Sequence, residues 1–288
     1  MTPDGDDSRT IFAKLIKALS PYADDIVLIG GWVHALYLAD ANKAGERPGQ
    51  WPIHTDDIDF TIPPTLLRAG RATLVELALE AGFEFDASSV YDQTEESPAL
   101  FHKLKDGVVD LDFLTRADRP DAAIPIEGQP DLVTHGYPDL HILTLHTQWL
   151  EIGTDLHPAL DPAVRIRVPV PGAYALQKGL ASQRRTSTMK AAKDLVYLYE
   201  LVRHPGLSAE VARQLPDIAR QHPEEFRSWA TYLGGLRADR PPVSDVVEQL
   251  LEANRAQGTI SAVGAQVASR IRRLVGETQG ELQAHTDD

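Results

Sequence analysis

The chain has 288 residues, 43% hydrophobic and 24% charged, enough to bury a sizeable core in one large domain or two modest ones. It contains no cysteine, which excludes disulfides, thiolate zinc sites and a cysteine nucleophile. The net charge of −14 argues against broad nucleic-acid binding, but residues 1–170 hold 13 Lys+Arg against 28 Asp+Glu while Pro171 to Asp288 hold 15 against 14. Met1 to Thr10 is acidic and polar, unlike a signal or transit peptide, and the longest apolar stretch, Ile26 to Ala39, is too short to span a bilayer. The expectation is a soluble, cytoplasmic protein without a membrane partner.

In chain order, Ile11 to Leu19 reads as an amphipathic helix and Ile26 to Ile29 as a short buried strand that stops at Gly30-Gly31. Trp32 to Ala39 resumes helical spacing, and residues 40–54, with Gly45, Pro48, Gly49 and Pro52, read as a long loop. A second strand runs from Asp57 to Ile62 and is broken by Pro63-Pro64; helical spacing follows from Leu66 to Ala81, with Gly82 as the stop. Ala99 to Lys105 and Val108 to Leu114 flank Asp106-Gly107, the strongest hairpin signal in the chain. Residues 116–138 are rich in Pro, Asp and Gly, and Leu140 to Leu145 and Val164 to Val168 read as short strands.

After Pro169-Val170-Pro171 the pattern becomes helical, over 172–183, 188–203, 208–220, 223–235, 242–256 and 259–275, with a polar, frayed tail from Glu277. This places the domain boundary near 170. Lys178, Arg184, Arg185, Lys190 and Lys193 form a positive run with no acid until Asp194, a place for a polyanion to dock.

The chemistry concentrates in the first half. Side chains two apart on a strand share a face, so Asp57 and Asp59 in Thr55-Asp56-Asp57-Ile58-Asp59-Phe60 present paired carboxylates with Ile58 buried between them. Asp56 falls on the opposite face. Asp110 and Asp112 in Val109-Asp110-Leu111-Asp112-Phe113 repeat the alternation. Upstream, a strand, the Gly30-Gly31 pair and a helix N-terminus offer backbone N–H groups to a phosphate oxygen.

Nucleotidyl transfer needs in-line attack on the α-phosphorus between two metal-held oxygens, and Mg²⁺ commonly takes one or two carboxylates plus substrate phosphates. Asp57 and Asp59 suit that role, with Asp110 or Asp112 as a third acid that orients the acceptor hydroxyl. The plainer alternative makes these acids exposed polar positions of a half-covered strand, Lys178 a solvated helix residue, and Asp194 a partner of Lys190 or a structural cap. His135, His141, His146 and His157 lack the i, i+4 spacing of a helical zinc site, and Trp32, Trp51, Trp149 and Trp229 read as core or loop anchors. There is no P-loop, G-x-G-x-x-G or G-x-S-x-G motif.

The Gly-Gly-Trp helix, Thr-x-Asp-Ile-Asp-Phe and Val-Asp-Leu-Asp-Phe-Leu together resemble the DNA polymerase β-type nucleotidyltransferase superfamily. Val168-Pro169, Gln177-Lys178-Gly179-Leu180-Ala181, Arg184 and Lys193-Asp194-Leu195 are similar to the helical segment of nucleotidyltransferase toxins of the abortive-infection (AbiEii) type. The resemblance implies an α/β (α+β) nucleotidyltransferase fold with a mixed β-sheet over 1–170, followed by an all-helical domain over 171–288. It implies Gly30, Gly31, Thr55, Lys178 and Arg184 as nucleotide contacts, Asp57, Asp59 and Asp110 as catalytic metal ligands with Asp112 beside them, and Mg²⁺ or Mn²⁺ as cofactor with an NTP, ATP among them, as substrate. Gly30-Gly31 stands where many members have Gly-Ser, and Tyr197 where the family has a second helical aspartate.

The expected reaction is transfer of NMP to a hydroxyl acceptor, favouring tRNA or other RNA, in a toxin with a cognate antitoxin partner. An aminoglycoside-like small molecule or a protein are the alternative acceptors. A noncatalytic binding or antitoxin module is the alternative of another class, and its mark would be the loss of an acid; Asp57, Asp59 and Asp110 all stand.

Overall fold

Alternation of aspartate with large apolar residues builds the centre of the fold. In β2 (Asp57–Thr61) and β5 (Val109–Arg116), Ile58, Phe60, Leu111 and Phe113 are fully buried on one face. Phe60 and Phe113 meet at 5.9 Å between ring centroids. Burying four such side chains stabilises the pair by about 1.5–3 kcal/mol each. The computed structural model describes residues 5–43, 57–85, 101–103, 109–117, 123–252 and 260–284. Its contacts form two compact units, Met1–Val33 with His54–Pro169 and His34–Ile53 with Val170–Asp288.

The first unit holds a mixed sheet. β1 (Val27–Ile29) pairs antiparallel with β2, β2 pairs parallel with β5, and β5 pairs antiparallel with β4 (Phe101–Lys103), which carries β3 (Glu84–Phe85) on its outer edge. β7 (Val133–Tyr137) extends β5 in parallel and pairs with β6 (Ala123–Pro125). β8 (Thr147–Ile152) and β9 (Val164–Pro169) form a separate antiparallel ribbon. Helix α1 (Gly5–Leu19) buries Ile11, Phe12, Leu15, Ile16 and Leu19, and Phe12 stacks on Trp32 with ring centroids 4.0 Å apart. The chain is α/β with a mixed sheet and a run of C-terminal helices.

Several local expectations change. Leu140 to Leu145 is a helix, α4, whose Leu140 and Leu143 cover Val27 and Ile29; a six-residue apolar run has too little length for periodicity to separate strand from helix. Helix α3 covers only Leu74–Glu80, because Ala69 and Gly70 take left-handed φ of 48° and 85° and Thr73 caps the helix. That cap is a capping box: Thr73 Oγ1 accepts from the Glu76 amide at 3.0 Å and Glu76 accepts from the Thr73 amide at 2.7 Å. Residues 116–138 contain β6 and β7, which pair with each other and with the end of β5 rather than by their own propensity. Helix α2 (Gly30–Lys43) continues past the expected stop at Ala39. Asp106-Gly107 and Trp51 lie outside the described residues.

The second unit adds α5 (Pro171–Arg184), α6 (Thr188–Arg203), α7 (Pro205–Gln221), α8 (Pro223–Gly234), α9 (Val243–Glu252) and α10 (Ile260–Ala284). Helix α10 runs past Glu277, with Thr278 buried and bonded to the Leu274 carbonyl at 2.9 Å, so no frayed tail begins there. Helix α6 is buried on nearly every side from Ala191 to Val202, as an interior helix must be. Gly179 admits the Trp229 indole, whose Nε1 donates to the Ala175 carbonyl at 3.1 Å.

A Cβ at Gly179 would overlap that indole. Gly179→Ala is expected to lower stability by about 1–3 kcal/mol, read as a fall in the urea midpoint at unchanged m. Gly276→Ala, in a helical position with open space around it, is expected to raise stability by about 0.5–1 kcal/mol.

Candidate active site

The register of β2 against β5 gathers the acids. Asp57 stands opposite Asp110 and Asp59 opposite Asp112, two rows of carboxylates on one face of a parallel pair. Asp57 is exposed and the other three are half-buried, so the face is open to solvent at one end. Further along it, Leu114, Val27 and Ile29 are closed over by α4. The acids therefore occupy the uncovered part of a face whose remainder is core.

The glycine turn is fixed to this face by backbone geometry. Ile29, the last residue of β1, pairs with Asp59, and the chain turns at once into α2 through Gly30 at φ +73°. A Cβ on Gly30 would penetrate the Asp59 carboxylate and lie 2.9 Å from its Cγ. Only glycine accepts both the left-handed conformation and the close approach. The α2 N-terminus thus begins beside Asp59.

Asp57, Asp59, Asp110, Asp112 and Gly30 are brought together in the first unit, with Gly31 next in the helix and buried. Thr55 lies outside the described residues. In the second unit Lys178 is not a solvated helix residue: it is buried, and its Nζ donates to Asp194 Oδ1 at 2.8 Å. Arg185 Nε donates to Asp194 Oδ2 at 3.3 Å, so Asp194 pairs with these two and not with the exposed Lys190. Lys178 Nζ also sits 5.4 and 5.3 Å from the ring centroids of Tyr174 and Tyr197. Arg184 is exposed at the end of α5.

The second unit holds a further buried pair that the motifs do not single out. His34 Nε2 donates to Glu200 Oε2 at 2.7 Å, with both side chains buried. The one trace in the sequence is a histidine inside the apolar run from Trp32 to Ala39.

A nucleotidyltransferase family model matches residues 10–210, more than half of the chain, and the protein belongs to that family. Its activity is accordingly nucleotidyl transfer from a nucleotide substrate. The matched region takes in the acids and glycine turn and also α5 and α6 with Lys178, Asp194 and Glu200. No curated protein and no solved structure matched the chain. No helix among the described residues is long and apolar enough to cross a membrane.

Gly30→Ala is expected to lose most nucleotidyl transfer and to destabilise the fold by about 1–2 kcal/mol from backbone conformation alone. A thermal melt and a turnover assay on one preparation check both. Wild-type turnover in this variant would show that the turn does not need its close approach to Asp59.

Proposed function

We propose that the chain transfers NMP from an NTP to a hydroxyl acceptor at the face formed by Asp57, Asp59, Asp110 and Asp112. The single observation that supports this reading is the register that pairs Asp57 with Asp110 and Asp59 with Asp112 beside the Gly30 turn. The acceptor oxygen attacks the α-phosphorus, the bond from that phosphorus to the bridging oxygen breaks, and pyrophosphate leaves. Asp110 takes the hydroxyl proton as general base. The backbone N–H groups at Gly30 and Gly31 bind the terminal phosphates.

The donor set fits a hard divalent ion, being all carboxylate oxygen on rigid strands, and Asp57, Asp59 and Asp110 would hold it, with Asp112 adjacent. When bound, Mg²⁺ or Mn²⁺ supplies charge neutralisation at the phosphate oxygens. The family resemblance implies Lys178 and Arg184 as nucleotide contacts, and Lys178 shares its ammonium with Asp194.

We infer an RNA acceptor, tRNA foremost, from the turn between α5 and α6. Residues 183–190 are exposed throughout and present Arg184, Arg185 and Lys190, while residues 1–170 hold 28 Asp+Glu against 13 Lys+Arg. The toxin role and antitoxin partner rest on the resemblance to abortive-infection enzymes, an analogy of family rather than of site. The acidity of the first half favours a cationic amino sugar as the second reading.

Asp57→Asn and Asp59→Asn are each expected to abolish Mg²⁺-dependent turnover while leaving the thermal melt near wild type. Asp110→Ala should cost more activity than Asp112→Ala. Wild-type turnover in either asparagine variant, in metal-controlled buffer, contradicts the site assignment.

Radiolabelled NTP should label RNA from total cellular extract, with binding that weakens steeply as salt rises. Lys190→Glu, an exposed position of the same turn outside the nucleotide assignment, should reduce that labelling while sparing NTP affinity. Label on an amino sugar and none on RNA would turn the acceptor reading to the small molecule.

A further inference from the structure

We infer that His34 and Glu200 are a positioning pair for the glycine turn: they fix the rotation of α2, the helix whose first residues are Gly30 and Gly31. This rests on the function proposed above, in which that turn binds the NTP phosphates.

The pair is well formed. Glu200 is 4% exposed, and a carboxylate so buried is costly unless hydrogen-bonded. Its Oε2 accepts from His34 Nε2 at 2.7 Å. The imidazole is wholly buried, packed against Tyr197 at 4.9 Å and Tyr174 at 6.5 Å between ring centroids. Among the described residues His34 Nδ1 has no hydrogen-bond partner, and the bond to Glu200 orients the ring through Nε2.

Stability is a poor reason for such a pair. A buried ionic or polar pair can often be replaced by packed apolar residues at little cost or with a gain. Its place in the sequence offers a better reason. His34 lies one helical turn after Gly30, on the same side of α2.

The neighbours Trp32, Val33, Ala35, Leu36 and Leu38 are all buried, and apolar packing of this kind is non-directional. Such packing, with the Phe12–Trp32 stack, opposes large rotation of the helix about its axis but sets its fine angle less sharply than a directional bond does. A 2.7 Å hydrogen bond is directional and resists that rotation. Because α2 is continuous from Gly30 to Lys43, a rotation at His34 is transmitted to the amides of the first turn.

The test compares His34→Ala, His34→Gln and Glu200→Gln with Trp229→Phe, which loses a buried hydrogen bond of the same helical unit remote from α2 in sequence. NTP-dependent kinetics, thermal melts and amide hydrogen exchange over residues 27–36 are measured on the full chain. His34→Ala and Glu200→Gln should raise KM for NTP roughly tenfold, since small misplacements of a binding group are amplified. Exchange over 27–36 should accelerate in both. His34→Gln, which keeps an N–H donor, should restore KM most of the way, and Trp229→Phe should lower the melting temperature without moving KM. Wild-type KM in His34→Ala and Glu200→Gln, or an equal rise in Trp229→Phe, overturns the inference. If the wild-type chain turns over no NTP, the proposed function fails, and the exchange over 27–36 decides the pair alone: faster in His34→Ala supports it, unchanged overturns it.

Discussion

The parallel pairing of β2 with β5 is the constraint from which the rest follows. It sets acids side by side, Asp57 with Asp110 and Asp59 with Asp112, where like charges on facing positions oppose strand pairing. Ile58, Phe60, Leu111 and Phe113 offset that opposition from the buried face. A one-residue slip would move every acid into the core and every apolar side chain out, so the same alternation that brings the acids together also locks their register. The cost of the acidic face is therefore set against an apolar face too large to give up.

Gly30 shares in this constraint. The antiparallel pairing of Ile29 with Asp59 leaves no residue between strand and helix in which to absorb the turn, so the turn takes a left-handed φ. The missing Cβ is where the Asp59 carboxylate passes. An unbroken α2 then leads from this turn into the residues that bond within the helical unit, where His34 meets Glu200. Lys178 and Asp194 form a second buried polar pair in that unit, joined to the first pair through the ring of Tyr197.

Much of this was legible from residue order. Alternation with period two gave β2 and β5 their faces, and the glycine pair ended β1 where the sequence placed it. What stayed hidden depended on partners distant in the chain. The run Leu140 to Leu145 is helical because it covers Val27 and Ile29, and β6 and β7 exist through each other and through β5. Asp194 was open to a local partner at Lys190, but burial joined it to Lys178, sixteen positions away. His34 and Glu200, 166 positions apart, have no shared motif to announce them. Charge patterns along the chain mark exposed features well and say little about which polar groups meet in the interior.

The proposal that the two rows of aspartates beside Gly30 form one cation-binding face can be checked by Mn²⁺ titration of the labelled protein followed through its amide resonances. Selective paramagnetic broadening of residues 29–31, 57–61 and 109–113 is expected at substoichiometric Mn²⁺, reversed by excess Mg²⁺. Broadening centred on other residues, or none in these three segments, would contradict it.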